Sequence, residues 1–512
     1  MTTFLDLPDE IRLLIGKQLR VKNIYSCIRV CRSFYSSFIS CLWSQLSVNV
    51  VNADLIRANA HRVESVTYSA TLTEDFYTIF YPRLQTLRLH SFYGDEHNPN
   101  YLGVQPQQKV QFARMHLTVR KLTYSHMDTL PKEFWELVGT EWRDFEGLDF
   151  TGTVEEDAVE AFWKVCDRVK FLDLSDVNLP GSMPVMSTLS FQRLRDLAVL
   201  KYSWQNSPAR RTWPIQLLQQ AKHAKGLMRL TWSVKGVAFP VQLVMDALHE
   251  GCWPDLCELS VGDSTFSEQD VAGVLGALIS RRLTALELMG GRFGPLAYNC
   301  TRERYFDHLR DLRIGQCQGV TSAMVQGFMT ECVHLVVLDA QHIFVQDIAT
   351  SPKPWACLGL QNLMVYVAKQ AGDEAAWEGL VFEQVARLRM LRVLDFEWDP
   401  HCIYLCDEYP PDEILSLKTL DFRLPTYDNP VGSSTSISGS GDIRCWSSLV
   451  QLRNISFDGD RQHLGLKEAL WMTEHWRDLA YVGGDFNAAE GGDIEELKSL
   501  FSQKGIAHFA DV

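Results

Sequence analysis

Beyond residue 50 the apolar positions fall into one short recurring pattern, apolar-x-x-apolar-x-apolar. Clear copies are Leu84/Leu87/Leu89, Val169/Leu172/Leu174, Leu194/Leu197/Val199, Leu256/Leu259/Val261, Leu283/Leu286/Leu288, Leu309/Leu312/Ile314, Leu335/Leu338, Leu360/Leu363/Val365, Leu391/Leu394/Phe396, Leu417/Leu420/Phe422 and Leu452/Ile455/Phe457. Weaker copies fill the intervals at Val63/Val66/Tyr68, Val119/Leu122/Tyr124, Phe145/Leu148/Phe150, Leu227/Leu230/Trp232 and Trp476/Leu479/Tyr481. The last two apolar positions of a copy stand two residues apart, as side chains do on one face of a strand. Between copies, Glu155 to Val165, Pro240 to Leu248, Glu268 to Leu278 and Ser322 to Phe328 carry apolar residues at helical spacing. From residue 256 to 360 the first position advances by 27, 26, 26 and 25 residues. Some sixteen copies near one period predict a stack in which each strand–helix unit covers its neighbour's apolar faces.

The first fifty residues follow a different rhythm. Pro8 suits a first helical turn, and Asp9 and Glu10 put negative charge at the positive end of the helix dipole. Ile11, Leu14, Ile15 and Leu19 then form one stripe. Asn23 is placed to cap a second helix in which Ile24, Cys27, Ile28, Cys31, Phe34, Tyr35 and Phe38 step by three or four residues. A unit of about 45 residues has little interior of its own, so part of its apolar surface is expected to face either another protein or the repeats that follow.

Leu7-Pro8-Asp9-Glu10-Ile11, then Leu19, Ile24, Val30-Cys31-Arg32 with Phe34, and Leu42-Trp43, resemble the F-box motif in order and spacing. The resemblance implies docking on the Skp-type adaptor of a cullin-RING ubiquitin ligase, with Leu7, Pro8, Ile11, Leu19, Ile24, Val30, Cys31, Leu42 and Trp43 at the motif's apolar positions. Phe34 stands where many members carry Trp, and Arg20-Val21-Lys22-Asn23 is basic where an acidic residue is common. The repeats in turn resemble the leucine-rich-repeat fold. Together the two resemblances imply an α/β chain: an N-terminal helical F-box followed by a curved leucine-rich-repeat solenoid with a parallel concave sheet and outer helices. The expected division is 1–46 for the F-box, 47–482 for about 14–16 irregular repeats, and 483–512 for a C-terminal cap carrying Ile494, Leu497, Leu500 and Phe501 on one helix side. Loops are expected near 90–118, 200–226, 399–413 and 424–447, where the period stretches, with a short helical stretch following SWQNSPARRTWP in the second of them.

Composition narrows the function. Of 512 residues, 46% are apolar and 22% charged, which suits a folded chain. The net charge of −14 argues against nucleic-acid binding, which needs clustered Lys and Arg. The 13 cysteines form no C-x-x-C pair, and Cys27, Cys166 and Cys332 sit among apolar residues, a pattern of a reducing compartment. Early charges at Asp6, Asp9, Glu10 and Arg12 leave no signal-peptide core, and no apolar run approaches a membrane span. Cytoplasm or nucleus is the expected location, with no membrane partner.

No nucleotide-binding, hydrolase or zinc-protease motif is present in the sequence; Gly290, Gly291 and Gly294 read as a turn rather than a phosphate cradle. No enzyme activity, metal or cofactor is therefore expected. Within each strand the residue between the second and third apolar positions should face the concave side. That residue is Asp149, Asp173, Glu287, Asp339, Asp395 or Asp421 in six repeats and Arg88 or Arg313 in two, with Asp196, Asp311, Glu397 and Asp458 close by. Stacked in register, these would make a discontinuous acidic row able to attract a basic segment of a protein substrate; equally, Asp may only solvate the face. Tyr366, Trp398 and Trp204 are candidate aromatic anchors. Three functions fit: an SCF-type substrate receptor, a non-ligase leucine-rich-repeat scaffold whose F-box-like helices cap the solenoid, and an activator lending a side chain to another enzyme.

Overall fold

The computed structural model describes residues 4–19, 21–48, 53–68, 77–90, 106–125, 129–180, 189–201, 212–262, 265–278, 281–369, 375–396, 418–419, 443–457, 466–483 and 494–508. The chain forms two compact units, one of residues 1–237 with 251–255 and the other of 238–250 with 256–512.

The first unit begins with three helices, α1 (Asp9–Gln18), α2 (Val21–Ile28) and α3 (Arg32–Ser44). The helical spacing from Ile24 to Phe38 runs on across a break, because α2 closes at a Val30 N–H to Cys27 carbonyl bond and Cys31 is fully extended. Periodicity cannot register a break that keeps phase. The expected single second helix is therefore two, and Asn23 lies inside α2 rather than at its cap. Pro8 likewise sits one place earlier than expected, as the residue preceding α1, where its carbonyl accepts from the Ile11 and Arg12 amides at 3.1 Å.

Next comes a ladder of strands: β1 (Gln45–Val48), β2 (Ser65–Tyr68), β3 (Thr86–His90), β4 (Lys121–Ser125), β5 (Gly147–Thr151), β6 (Phe171–Ser175), β7 (Asp196–Lys201) and β8 (Arg229–Val234). Each pairs in parallel with the next. Register aligns Leu46, Val66, Leu87, Leu122, Leu148, Leu172, Leu197 and Leu230 in one row, and all but Leu46 are buried. Each such side chain contributes roughly 2 kcal/mol by leaving water, but only because both neighbours are present. β1 carries the triplet too, as Trp43/Leu46/Val48, with its first position shared with the F-box-like motif.

Covering helices are α4 (Ala53–Asn59), α5 (Pro106–Met115), α6 (Lys132–Glu141), α7 (Val159–Cys166) and α8 (Trp213–Ala221). One lies within a stretch expected to be a loop, and one is the short helical stretch expected after the insertion near 200–226. In 90–118, α5 buries Val110, Phe112 and Ala113; in 200–226, α8 starts at Trp213-Pro214, with both residues buried. The buried face of α5 is short and sits beside a polar run, which masks its helical spacing. Residues 91–105 and 202–211 of those stretches, Trp204 included, lie outside the described residues.

The second unit repeats the scheme with α9 (Val241–His249), β9 (Glu258–Val261), α10 (Glu268–Ala277), β10 (Ala285–Leu288), α11 (Pro295–Arg304), β11 (Asp311–Arg313), α12 (Ser322–Glu331), β12 (Val337–Phe344), α13 (Val345–Thr350) and β13 (Asn362–Lys369). There follow α14 (Ala375–Ala386), β14 (Val393–Phe396), β15 (Lys418–Thr419), β16 (Asn454–Phe457), α15 (Leu466–His475), β17 (Tyr481–Gly483), α16 (Ile494–Gln503) and β18 (Ala507–His508). β9 to β14 pair in parallel, and β14 pairs directly with β16. The Leu417/Leu420/Phe422 copy lies outside the described residues; Lys418–Thr419 within it runs antiparallel to the end of β13. The C-terminal segment does more than cap, because β18 adds a rung to β17 after α16 buries Leu497 and Phe501.

Aromatic heads tie neighbouring repeats together. The indole N–H of Trp142 donates to Ala113 O at 3.1 Å, Trp253 to Ala221 O at 2.8 Å, Trp446 to Phe382 O at 3.1 Å and Trp476 to Trp446 O at 3.1 Å, so terminal helix carbonyls find donors inside the stack. Among the described residues no helix is long and apolar enough to cross a membrane.

Candidate functional site

Two surfaces carry the residues singled out above. The first is the N-terminal trio of helices. Its small core is Ile24, Phe38 and Cys41, with Phe4, Leu19, Cys27, Ile28, Phe34 and Leu42 packed around it. Phe4, Phe34 and Phe38 pack at 5.0–5.7 Å between ring centres, Phe4 on Phe38 stacked and the other two pairs tilted. Gly16 lets α1 approach α3: a Cβ there would stand 2.6 Å from Cys41 Sγ and 2.9 Å from Phe38. Burial raises the Cys41 thiol's pKa, so it packs as a neutral group.

This core sorts the nine motif residues. Ile24 is buried, and Leu19 and Leu42 are half-buried against it. Leu7 and Trp43 are also half-buried. Pro8, Ile11, Val30 and Cys31 face solvent, Ile11 at 42% and Val30 at 68% exposure. In α1 only Gly16 is buried, so the apolar stripe read from the sequence points outward: Leu14 and Ile15 are exposed with Ile11. Val21 and Tyr25, one helical turn apart on α2, add exposed apolar surface that the sequence reading missed. Their signal was helical spacing: Val21, Ile24, Tyr25 and Ile28 share one broad apolar face, of which Ile24 is buried and Val21 and Tyr25 form the uncovered flank. Ile11, Leu14, Ile15, Val21, Tyr25 and Val30 thus stand as exposed apolar side chains on one small helical trio.

The second surface is the open side of each sheet. In the first unit, register places Arg88, Thr123, Asp149, Asp173, Ala198 and Thr231 side by side. Asp149 and Asp173 are adjacent across β5 and β6, and neither forms an ion pair among the described residues. Asp173 accepts from Ser175 Oγ at 2.7 Å. Burial, then the neighbouring Asp173 charge, push the Asp149 carboxyl up to about 6, against a Thr123 hydrogen bond and Arg88. Burial also raises Asp173. A shallow cleft of about 230 Å³ opens over them, walled by Lys121, Phe171, Asp196 and Arg229 and floored in part by Gly147 and Ala198. The Lys121 ammonium lies 4.9 Å from the Phe171 ring centre, and Arg229 reaches Asp196 at 3.8 Å.

In the second unit the equivalent row is Ser260, Glu287, Arg313, Asp339, Met364, Asp395 and Ser456. The six acids of the sequence reading are therefore not one uniform row. Arg313, held to Asp311 at 3.0 Å, and Met364 stand among the acids here, while Ala198 and Thr231 end the row in the first unit. Burial pushes Asp339 up to about 6; Arg313 opposes this, while Glu287, Asp395 and Asp311 add to it. Gly315 makes room for the Asp339 carboxylate, which occupies the space of the absent Cβ. Asp421, Glu397, Asp458 and Trp398 lie outside the described residues. Tyr366 is no surface anchor: it is buried with Phe344 and Ala368.

Gly290 and Gly291 adopt positive φ in a turn, and the N-terminus of α11 beyond them is already filled by the Glu268 carboxylate, which accepts from the Leu296 amide at 2.6 Å. No anion could share that place. Among the described residues no group of three or more His, Cys, Asp or Glu is placed to hold a metal ion.

Comparison with known proteins gives one family match: the F-box-like profile covers residues 4–49, an F-box-like domain at the N-terminus. No curated protein sequence matches. Among solved structures, a chain from the crystal structure of the Rad7 and Elc1 complex in yeast is similar over 69% of this chain and 92% of that one, at 13% identity and a TM-score of 0.36.

Proposed function

We propose that the protein is the substrate-recognition subunit of an SCF-type cullin-RING ubiquitin ligase, acting in the cytoplasm or nucleus. The observation that carries this reading is the F-box-like match over residues 4–49 coinciding with a helical trio that leaves Pro8, Ile11, Leu14, Val21 and Val30 uncovered. Solvent-facing Pro8, Ile11, Val30 and Cys31 contact the Skp-type adaptor, while Leu19, Ile24 and Leu42 hold the helices in the docking arrangement; Leu7 and Trp43 border the contact. Residues 1–46 then form the F-box, 47–482 a leucine-rich-repeat body and 483–512 its terminal segment. The open sheet faces receive the protein to be ubiquitinated, with Asp149, Asp173, Glu287, Asp339 and Asp395 drawing in a basic segment. This chain supplies positioning, and the ligase's other subunits supply the chemistry.

One observation favours the scaffold reading: α3 runs straight into β1, which pairs with β2, so the same helices also close the end of the ladder. A pull-down of residues 1–512 with the Skp-type adaptor, against a chain lacking residues 1–46, separates the two. Capture that disappears with the deletion supports the receptor; no capture by the folded full-length chain leaves the scaffold.

A further inference from the structure

In the second unit five strands are entered through the same turn. An amide-to-carbonyl bond between residues three apart closes each: Leu335 to Cys332 at 3.3 Å, Leu360 to Cys357 at 3.0 Å, Leu391 to Leu388 at 2.9 Å, Leu452 to Leu449 at 3.0 Å and Leu479 to Trp476 at 3.1 Å. The residues just before the strands are bonded across as well, with Arg392 N to Gln361 O at 2.7 Å, Arg453 N to Arg392 O at 2.8 Å and Ala480 N to Arg453 O at 2.7 Å. The turns before β12, β13, β14, β16 and β17 therefore form one continuous rim, spaced about 4.8 Å per rung.

Two properties of this rim bear on what it could bind, and the turns of the first unit share them in part, with Leu117 and Met228 exposed and Arg83, Arg120 and Arg195 at the matching places. Its tips are apolar where tips are usually polar: Val333, Leu358, Met390 and Val450 are all exposed, Val450 at 58%. Its charges are basic in a protein of net charge −14: residues 333–336, 358–361, 389–392, 450–453 and 477–480 hold Arg389, Arg392, Arg453 and Arg477 against Asp478 alone. Those four guanidinium groups form no side-chain hydrogen bond or ion pair among the described residues. A solvated edge of an acidic protein has no need of unpaired arginines beside uncovered apolar tips.

We infer that this rim docks an extended, acidic polypeptide segment with interspersed apolar residues. The acidic side chains of the segment meet Arg392 and Arg453, which neighbour each other across the rungs, and its apolar side chains cover the tips. From Val333 to Val450 is about 15 Å, the reach of about five extended residues. Charge complementarity selects an acidic occupant, and the apolar tips select a polypeptide over a nucleic acid, whose backbone has nothing to set against them. The rim is distinct from the open sheet face, where the acids would call for a partner of the opposite sign.

The test uses the full-length chain immobilised as bait for a display library of short random peptides. Selection is repeated on Arg392→Glu/Arg453→Glu, a half-buried and an exposed position, and on the exposed Val450→Asp, with the thermal midpoint of each variant measured to show that it folds. Peptides selected on the parent should be acidic with interspersed apolar residues. In fluorescence anisotropy they should lose about tenfold or more in affinity to the charge reversal, weaken with salt, and also weaken to Val450→Asp. An empty selection, basic peptides, or peptides that bind both variants unchanged would overturn the inference, as would heparin displacing them equally well from parent and Val450→Asp. Adaptor capture by the same variants reads the proposed receptor role separately.

Discussion

Asp149→Asn isolates the cost of holding the acidic pair on the first unit's open face. The fold raises the carboxyl from its ordinary 3.8 to about 6, by burial first and by Asp173 second. A raised value in the folded state means that folding binds the proton more tightly, so this group's contribution is fully favourable below 3.8 and is lost as pH rises through about 6. The gap corresponds to about 3 kcal/mol if the carboxyl were wholly withdrawn from water. Part of it stays open in the cleft, and solvent screening cuts the expected penalty to about 1 kcal/mol. Asparagine keeps the shape and can still bond Thr123 but cannot ionise. At pH 8 the variant should therefore melt about 2 °C higher than the parent in circular dichroism, with the difference closing as pH falls from 6 towards 4. A variant that melts lower at pH 8, or an advantage that persists unchanged at pH 4, would refute the account of strained ionisation. A surface that keeps a destabilising charge pair has a use for it, and the same substitution should weaken capture of a basic partner.

Pro8→Ala with Ile11→Asp alters two exposed residues outside the small helical core; adaptor capture should vanish while the melting curve stays in place, and retained capture would relocate the interface. Gly16→Val forces a side chain into Phe38 and Cys41 and should cost about 1–3 kcal/mol locally, seen as faster proteolysis within the first fifty residues. Trp135→Ala empties a fully buried site packed on Phe150 and Phe162 and should destabilise the first unit by about 3–5 kcal/mol in urea unfolding. Asp339→Lys with Asp395→Lys should reduce binding of a basic protein segment, the more so at low salt, whereas unchanged binding would assign these acids to solvation alone.

Repetition made most of this architecture readable in advance. Because every rung must place the same apolar residues inward, triplets such as Leu148/Phe150 and Leu286/Leu288 announce both the strand and its buried face. The alternation rule likewise put Asp149 and Asp173 on the open side, where they stand in register. Three kinds of feature escaped. A rung with too few apolar residues, β18, is stabilised by the neighbour it extends rather than by its own pattern. The antiparallel pairing of Lys418–Thr419 with the end of β13, beside the direct pairing of β14 with β16, is a break in the repeat that a regular pattern does not announce. The apolar stripe of α1 was correct in phase, but phase does not say whether a stripe meets its own chain or another.

Local chemistry therefore determined which residues form strands and helices, where each amphipathic face lies and that no described enzyme motif is present. Adjacency was decided only by tertiary structure. It brought Asp149 beside Asp173, set Arg392 beside Arg453 along the rim, broke the second helix at Cys31 and left Ile11 and Val30 facing water. Each of these depends on what lies across a gap from a residue, and hydrogen-bonded register and packing between distant segments set that, whereas sequence spacing reports only what lies along the chain.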